Sequence, residues 1–257
     1  MKTPINYYGS KQTILKHILP LIPDHSVYTE AFCGGAAVLF AKEPAACEVI
    51  NDINAEIINF YGIAQCSYPE LKVEIEKTLH SRYQHDHALY IYNNPHLFRP
   101  AERACAFWFL AKISFASKIN GTFGFDFSGG VPKRLRNAKE AFTEELCSRL
   151  EHVTIECQDA LSVIKRYDRP ETFHFVDPPY IETSCAHYNG LFNEQAFVEL
   201  LDVLSGLKGK FMLTMFPNDH ILKYADKYHW TIHRIERTIS ACRTTRRKQE
   251  EWIVCNY

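Results

Sequence analysis

Seven short apolar runs punctuate the chain: Val27 to Phe32, Glu48 to Ile50, Val153 to Cys157, Phe173 to Val176, Phe211 to Thr214, Trp230 to Ile235 and Trp252 to Tyr257. Each is rich in β-branched or aromatic residues and too short for a helix, which marks a buried strand. Helix-like segments fall between several of them, namely Gln12 to Leu21, Asn54 to Gln65, Ala160 to Tyr167, Asn193 to Leu207 and Asp219 to Tyr228. Strands that alternate with helices pair in parallel through crossovers, with helices covering the sheet. The expected fold is therefore α/β with a doubly wound sheet. Only a polar loop separates the last two runs, which predicts a hairpin at the sheet edge.

The interval from Ser67 to Leu150 breaks this rhythm. It reads as a helix (Pro69 to His80), a polar stretch rich in His and Tyr, and a strongly apolar helix from Ala101 to Ser117. The segment "KINGTFGFDFSGGVPKRLRNAK" follows, dense in Gly and aromatics with a basic exit, and is expected to be a hairpin or long loop. Loops on a rigid scaffold commonly carry recognition. The domain reading is a catalytic domain of residues 1–66 and 151–257 with a mainly helical insertion at 67–150. Phe107, Trp108 and Phe109 read as the core of the insertion. His85 and His87 lack further ligands at metal spacing and read as solvated, so no metal site is expected.

A formal net charge of −1 excludes a surface coated in basic residues, but not local basic patches, so nucleic acid stays open as a partner. The N-terminal residues have no signal-peptide core, and no apolar run approaches membrane-spanning length. Nine cysteines, an odd number with no Cys-x-x-Cys pair, fit reduced thiols in the cytoplasm better than a disulfide framework or zinc site.

Two features locate chemistry on the sheet. In "VYTEAFCGGAAVLF" a Gly-Gly separates the first strand from its helix, where a backbone without side chains can approach a ligand. Asp52 lies 18 residues beyond Gly34, where such folds hold ribose hydroxyls, although it would equally suit a helix cap. The three-glycine fingerprint of nicotinamide cofactors is absent. The second feature is "FHFVDPPY", an apolar run that ends in an acid, two prolines and a tyrosine. An Asp-Pro is usually a solvated loop acid; the alternative is that Asp177 faces a reaction centre.

Five motifs in order decide between these. "YYGSK" (Tyr7 to Lys11), "EAFCGGAAVLF", "INDIN", "CQDALSVI" and "DPPY" together resemble the Dam-type DNA adenine-N6 methyltransferases of the D12 class. The resemblance covers most of the chain and implies a Rossmann-like methyltransferase sheet, S-adenosylmethionine as cofactor and an adenine in double-stranded DNA as substrate. It places Tyr7 and Lys11 on the methionine part of the cofactor, with Glu30, Phe32 and Gly34 lining the pocket. It puts Asp52 and the adjacent Ile53 at the ribose, Asp159 at the cofactor's exocyclic amine, and Asp177 where cofactor and target base meet. Asp177, Pro178, Pro179 and Tyr180 form the catalytic motif. Ala31 departs from the usual proline and Ala36 from the second glycine of the family's loop. "LTMFPN" matches its family counterpart loosely, so Thr214 and Asn218 receive no role.

The chemistry explains the motif. An exocyclic adenine amine is a poor nucleophile because its lone pair is delocalised into the ring. Preorganised acceptors on its two hydrogens, the Asp177 carboxylate and the Pro178 carbonyl, localise that pair. The Pro-Pro pair fixes the backbone, Tyr180 offers a stacking face, and the base must leave the duplex to reach them. Phosphate contacts are expected from Lys133, Arg134 and Arg136 in "VPKRLRNAK" and from Arg243, Arg246 and Arg247 in "CRTTRRKQEE", with Asn120, Arg134 and Arg136 also candidates for base reading. A charge run is more often a solvated face. A catalytically inactive DNA-binding relative, or an amino-methyltransferase acting on cytosine N4 or RNA, are the alternatives. A cognate restriction endonuclease is a further partner allowed by the resemblance, and one duplex adenine requires only a monomer.

Overall fold

The structure is a computed structural model that describes residues 1–7, 9–115, 118–181, 192–238 and 248–257. Its strands are β1 (Val27–Glu30), β2 (Cys47–Asn51), β3 (Val153–Glu156), β4 (Thr172–Val176), β5 (Lys210–Met215), β6 (Thr231–Thr238) and β7 (Lys248–Cys255). They follow the order β3-β2-β1-β4-β5-β7-β6. Strand β1 pairs in parallel with β2 and β4, β4 pairs in parallel with β5, and β7 runs antiparallel to both β5 and β6. The order reverses between β1 and β4, which creates the crevice at the strands' carboxyl ends where doubly wound folds bind ligands. The expected hairpin is present, longer than the apolar runs indicate, because its polar outer residues also join the ladder.

The chain divides into two compact units. The first comprises Thr13–Cys33, Lys42–Ile53 and Gln158–Tyr257. It contains helices α1 (Leu15–Ile18), α9 (Ala160–Tyr167), α10 (Glu194–Ser205) and α11 (Asp219–Tyr228). Leu200, Leu201 and Leu204 of α10 and Ile221 of α11 bury their faces with Val176, Phe211 and Leu213 of the sheet. The single helix expected from Gln12 to Leu21 is instead two 3-10 turns flanking the four residues of α1. Pro20 has no N–H to continue an α-helical ladder.

The second unit comprises Met1–Gln12, Gly34–Ala41 and Asn54–Cys157. It therefore gathers more than residues 67–150, because α3 (Ala55–Cys66) lies against the apolar α6 (Pro100–Ile113). Phe107, Trp108 and Phe109 of α6 are buried, as core residues should be, and Phe60 of α3 meets Phe107 at 6.1 Å between ring centres. Helices α2 (Ala37–Ala41), α4 (Tyr68–Glu76), α5 (Arg82–Asn93), α7 (Gly130–Glu140) and α8 (Glu144–Ser148) complete it. Three expectations are corrected here. The polar stretch is the helix α5, with His85, Ala88 and Ile91 on its buried face. His85 is therefore not solvated: its Nε2 lies 3.2 Å from the Ser114 hydroxyl, and its ring meets Phe123 edge-on. The basic exit of the Gly-rich segment is the helix α7, not a loop, since Val131 and Leu135 bury one face and Asp126 binds the first backbone amides. Among the described residues no helix is long and apolar enough to cross a membrane.

Candidate active site

In the first unit all five residues of β4 are buried, so the chain emerges at Asp177 from the middle of the sheet. Register then selects its neighbour. Val176 pairs with Leu213 of β5, and the next residue on each strand brings Thr214 Oγ1 to donate a 2.7 Å hydrogen bond to Asp177 Oδ1. Thr214 is fully buried. The Tyr180 phenol donates a 2.5 Å bond to Oε1 of Glu251 on β7, and Phe216 meets the tyrosine ring edge-on at 4.4 Å. Burial, reinforced by the charges of Asp177 and Glu251, pushes the Tyr180 hydroxyl well above the ordinary tyrosine range. It remains a protonated donor at any physiological pH. Thr214 and Glu251 are the site residues that sequence reasoning missed. A threonine in a strand and a glutamate among charges carry no local signal of partnership with the Asp-Pro-Pro-Tyr turn.

Asn51, the last residue of β2, staples the crevice. Its side chain donates to the carbonyls of Ala31 (2.9 Å) and Gln158 (3.0 Å) and accepts from the Gln158 N–H (2.9 Å). The Cys33 N–H donates to the Asn51 carbonyl at 2.8 Å. Asp52 follows immediately and is buried. The cap of the next helix is Asn54, which accepts from the Glu56 N–H at 3.0 Å, so Asp52 is not used as that cap. Glu30 is buried and accepts from the Tyr28 hydroxyl at 3.0 Å. Phe32 is half-buried against the edge of Phe192, while Ile53 is exposed. Asp159 is exposed and caps α9, its Oδ2 accepting from both the N–H (2.8 Å) and hydroxyl (3.0 Å) of Ser162. Asn218 caps α11.

The second unit holds the glycine turn, Tyr7 and Lys11. Gly34 adopts φ +43°, and a Cβ there would stand 2.9 Å from the Tyr7 ring. Its carbonyl accepts from the Tyr61 hydroxyl at 3.0 Å. Ala36 is the departure from the family loop, and it keeps the left-handed backbone of a glycine, with φ +47°. Lys11 is buried, and its Nζ donates to the Gly9 carbonyl at 3.0 Å. Of the expected DNA contacts, Asn120, Lys133, Arg134 and Arg136 are exposed in this unit. Arg243, Arg246 and Arg247 lie outside the described residues. Lys139 is tied to the carbonyls of Glu76 and Thr78. Two aromatics of the Gly-rich segment, Phe125 and Phe127, are 61% and 101% exposed on either side of Asp126.

In the second unit a buried lysine and a glycine turn with no room for a side chain suit the carboxylate end of a ligand, and in the first a buried acid at the end of β2 suits ribose hydroxyls. With Asp-Pro-Pro-Tyr at the carboxyl end of the strand beside the switch point, fold and site define a Rossmann-like methyltransferase. Residues 7–240 match the D12 class N6 adenine-specific DNA methyltransferase family, and the chain belongs to that family, whose members depend on S-adenosylmethionine. It is 27% identical to the type II methyltransferase M1.LlaDCHI of Lactococcus lactis subsp. cremoris, over 97% of this chain and 93% of that protein. Against the type II methyltransferase M.FokI of Planomicrobium okeanokoites it is 24% identical over its full length. It is 25% identical to the DNA N-6-adenine-methyltransferase of Escherichia phage P1 over 89% of its residues. The chain spans 43% and 31% of those two longer proteins.

Proposed function

We propose that the chain methylates N6 of an adenine turned out of duplex DNA, with Asp177, Pro178, Pro179 and Tyr180 as the catalytic turn. The observation that carries this reading is the placement of Asp177 at the tip of a buried strand, hydrogen-bonded to Thr214 and followed by a tyrosine anchored on Glu251. The Asp177 carboxylate and the Pro178 carbonyl each accept one amine hydrogen, which draws the lone pair of N6 out of conjugation. The Tyr180 ring stacks on the base and holds N6 in line for attack. Asp177 takes the departing proton once N6 has become cationic, so no base strong enough to deprotonate a neutral amine is required.

S-adenosylmethionine, when bound, supplies a methyl group on a positively charged sulfur. Lys11 and Tyr7 hold its carboxylate end, Asp52 and Ile53 its ribose and Asp159 its adenine, with Glu30, Phe32 and Gly34 shaping the pocket. Lys133, Arg134 and Arg136, together with Arg243, Arg246 and Arg247, neutralise phosphates, and the insertion around Asn120 reads bases. The enzyme acts as a monomer in the cytoplasm, where its DNA lies. Two relatives bear the name type II methyltransferase, which favours a cognate restriction endonuclease as partner.

The test is transfer of a labelled methyl group from S-adenosylmethionine to unmethylated duplex DNA by the natural chain and by Asp177→Ala, followed by mapping of modified adenines. N6-methyladenine at a recurring short sequence, lost in Asp177→Ala, is the expected result. Transfer that survives Asp177→Ala would overturn the assignment of the catalytic turn.

A further inference from the structure

In the second unit, the segment that carries Asn120 is closed at its root by a short antiparallel pairing. Ser114 and Phe123 form a β-bridge, the Phe115 N–H donates to the Thr122 carbonyl at 2.9 Å, and the Gly124 N–H donates to the Ile113 carbonyl at 3.0 Å. Only glycine fits at 124, since a Cβ there would collide with the Ile113 carbonyl. A two-stranded pairing this short is marginal by itself. Side chains from outside the pairing must fix its direction.

Those side chains come from the link between α4 and α5 and from the start of α5. The His80 ring stacks on the Phe123 ring, with centres 4.6 Å and planes 29° apart. Its Nε2 lies 2.9 Å from the Gly124 carbonyl, and a carbonyl only accepts, so that nitrogen donates. The Arg82 guanidinium lies over the same phenylalanine ring, 4.9 Å from its centre. From the buried side, His85 touches both partners of the bridge, the Ser114 hydroxyl and the edge of Phe123. Apolar packing would bury Phe123 without fixing where it sits along the chain. A stacked ring whose donor reaches the next carbonyl fixes that position too. Exposed residues flank this grip on both sides, Asn120 before it and Phe125 and Phe127 after it.

We infer that His80, Arg82 and His85 form a clamp on Phe123 that orients the loop of residues 118–127 for base reading, which makes them positioning residues for sequence selection. This role rests on the base reading by the insertion proposed above. A loop released from the clamp still reaches DNA, but no longer presents its side chains in one arrangement, so wrong sequences are rejected less well.

The test compares methyl transfer on the recurring sequence mapped for the natural chain with transfer on duplexes changed at one base pair outside the target adenine. His80→Ala is expected to raise the DNA concentration for half-maximal transfer about tenfold and to lower discrimination against changed sites about tenfold, the scale of losing one aromatic pair with its hydrogen bond. The rate at saturating DNA of the mapped sequence should fall less than about threefold, and cofactor affinity should not change. Phe123→Leu should give the same pattern. The double variant should be no worse than the more severe single one, because both act through one contact. Unchanged discrimination in His80→Ala, or losses that multiply in the double variant, overturns the inference. So does a fall in the saturating rate as large as the loss of discrimination, which marks a general structural defect. Should His80→Ala fail to fold, Arg82→Gln at its exposed position carries the test, with about a threefold loss of discrimination expected. Affinity lost equally on every sequence would then overturn the clamp. Asn120→Ala in the same assay keeps the two failures apart. Preference lost in Asn120→Ala and kept in His80→Ala breaks the clamp alone. A natural chain without sequence preference, or preference that survives both variants, removes the base reading on which the clamp rests.

Discussion

Asp177 and Asp126 are both acids beside aromatic rings, and the structure uses them in opposite ways. Asp177 stands at the end of a buried strand and accepts from Thr214, and its aromatic partner, Tyr180, is anchored on a buried glutamate. In "FGFDFSGG" the acid is the anchor. Asp126 Oδ1 accepts from the N–H and hydroxyl of Ser128 and from the Gly130 N–H, while Oδ2 accepts from the Val131 N–H. These bonds, the Ser128 hydroxyl first, hold its carboxyl down to about 2. Phe125 and Phe127 are left exposed on either side, at the start of a basic helix. Asp126 satisfies several amides and leaves its aromatic neighbours exposed, whereas Asp177 accepts from the Thr214 hydroxyl and its aromatic neighbour is held.

Replacing each acid separates the two uses. Asp177→Ala is expected to lower single-turnover methyl transfer on the order of a thousandfold, the scale of losing one preorganised group at a reaction centre. Asp126→Ala should leave that rate intact at saturating DNA and raise the DNA concentration needed to reach it. Equal loss of rate in both variants would break the contrast.

Acid separates them again. Burial depresses His174 of β4 to about 4, so the folded protein keeps it neutral while the unfolded chain protonates it near 6.5. The unfolded state then binds more protons, and stability falls as pH drops from 6.5 to 4, by up to about 3 kcal/mol. Urea denaturation at pH 7 and pH 4.5 should show this slope in the natural chain and a flatter one in His174→Gln. The contribution of Asp126 has the other window. Its folded value is depressed, so its stabilisation is complete above about 4 and lost only towards 2. An acid titration followed by circular dichroism should therefore melt the sheet before the start of α7.

Smaller effects are expected at the exposed aromatics. Phe127→Ala is expected to weaken duplex binding about tenfold without altering cofactor affinity, as loss of one base-stacking ring does elsewhere. Fluorescence anisotropy of labelled DNA checks this, and an unchanged affinity would assign Phe127 no part in binding. The smallest effect belongs to Ala36. Its left-handed backbone costs an alanine about 1–2 kcal/mol, against about 0.4–1 kcal/mol of extra chain entropy lost by a glycine. Ala36→Gly relieves that strain but also removes a fully buried methyl worth about 0.8 kcal/mol, so it should change stability by less than about 0.5 kcal/mol in urea denaturation at pH 7, where a loss above about 1 kcal/mol would contradict the strain.

Local pattern alone determined a good part of this molecule. Apolar runs of three to six residues between helical segments specify the strands, because burial in a covered sheet leaves no other use for them. The order of the motifs placed Asp52 and Asp177 at strand ends, where the structure has them. What holds those residues comes from contacts distant in the chain. Thr214 is 37 positions from Asp177, and Glu251 is 71 from Tyr180, and each pair meets because of strand register, which no sequence window contains. Helices α5 and α7 were likewise hidden, since their polar composition argues for loops until the packed interior claims His85 and Ala88 of one and Val131 and Leu135 of the other. Chemistry at a strand tip can be read from residues adjacent in the chain. The partners that set its geometry come from distant segments, and folding alone brings them together.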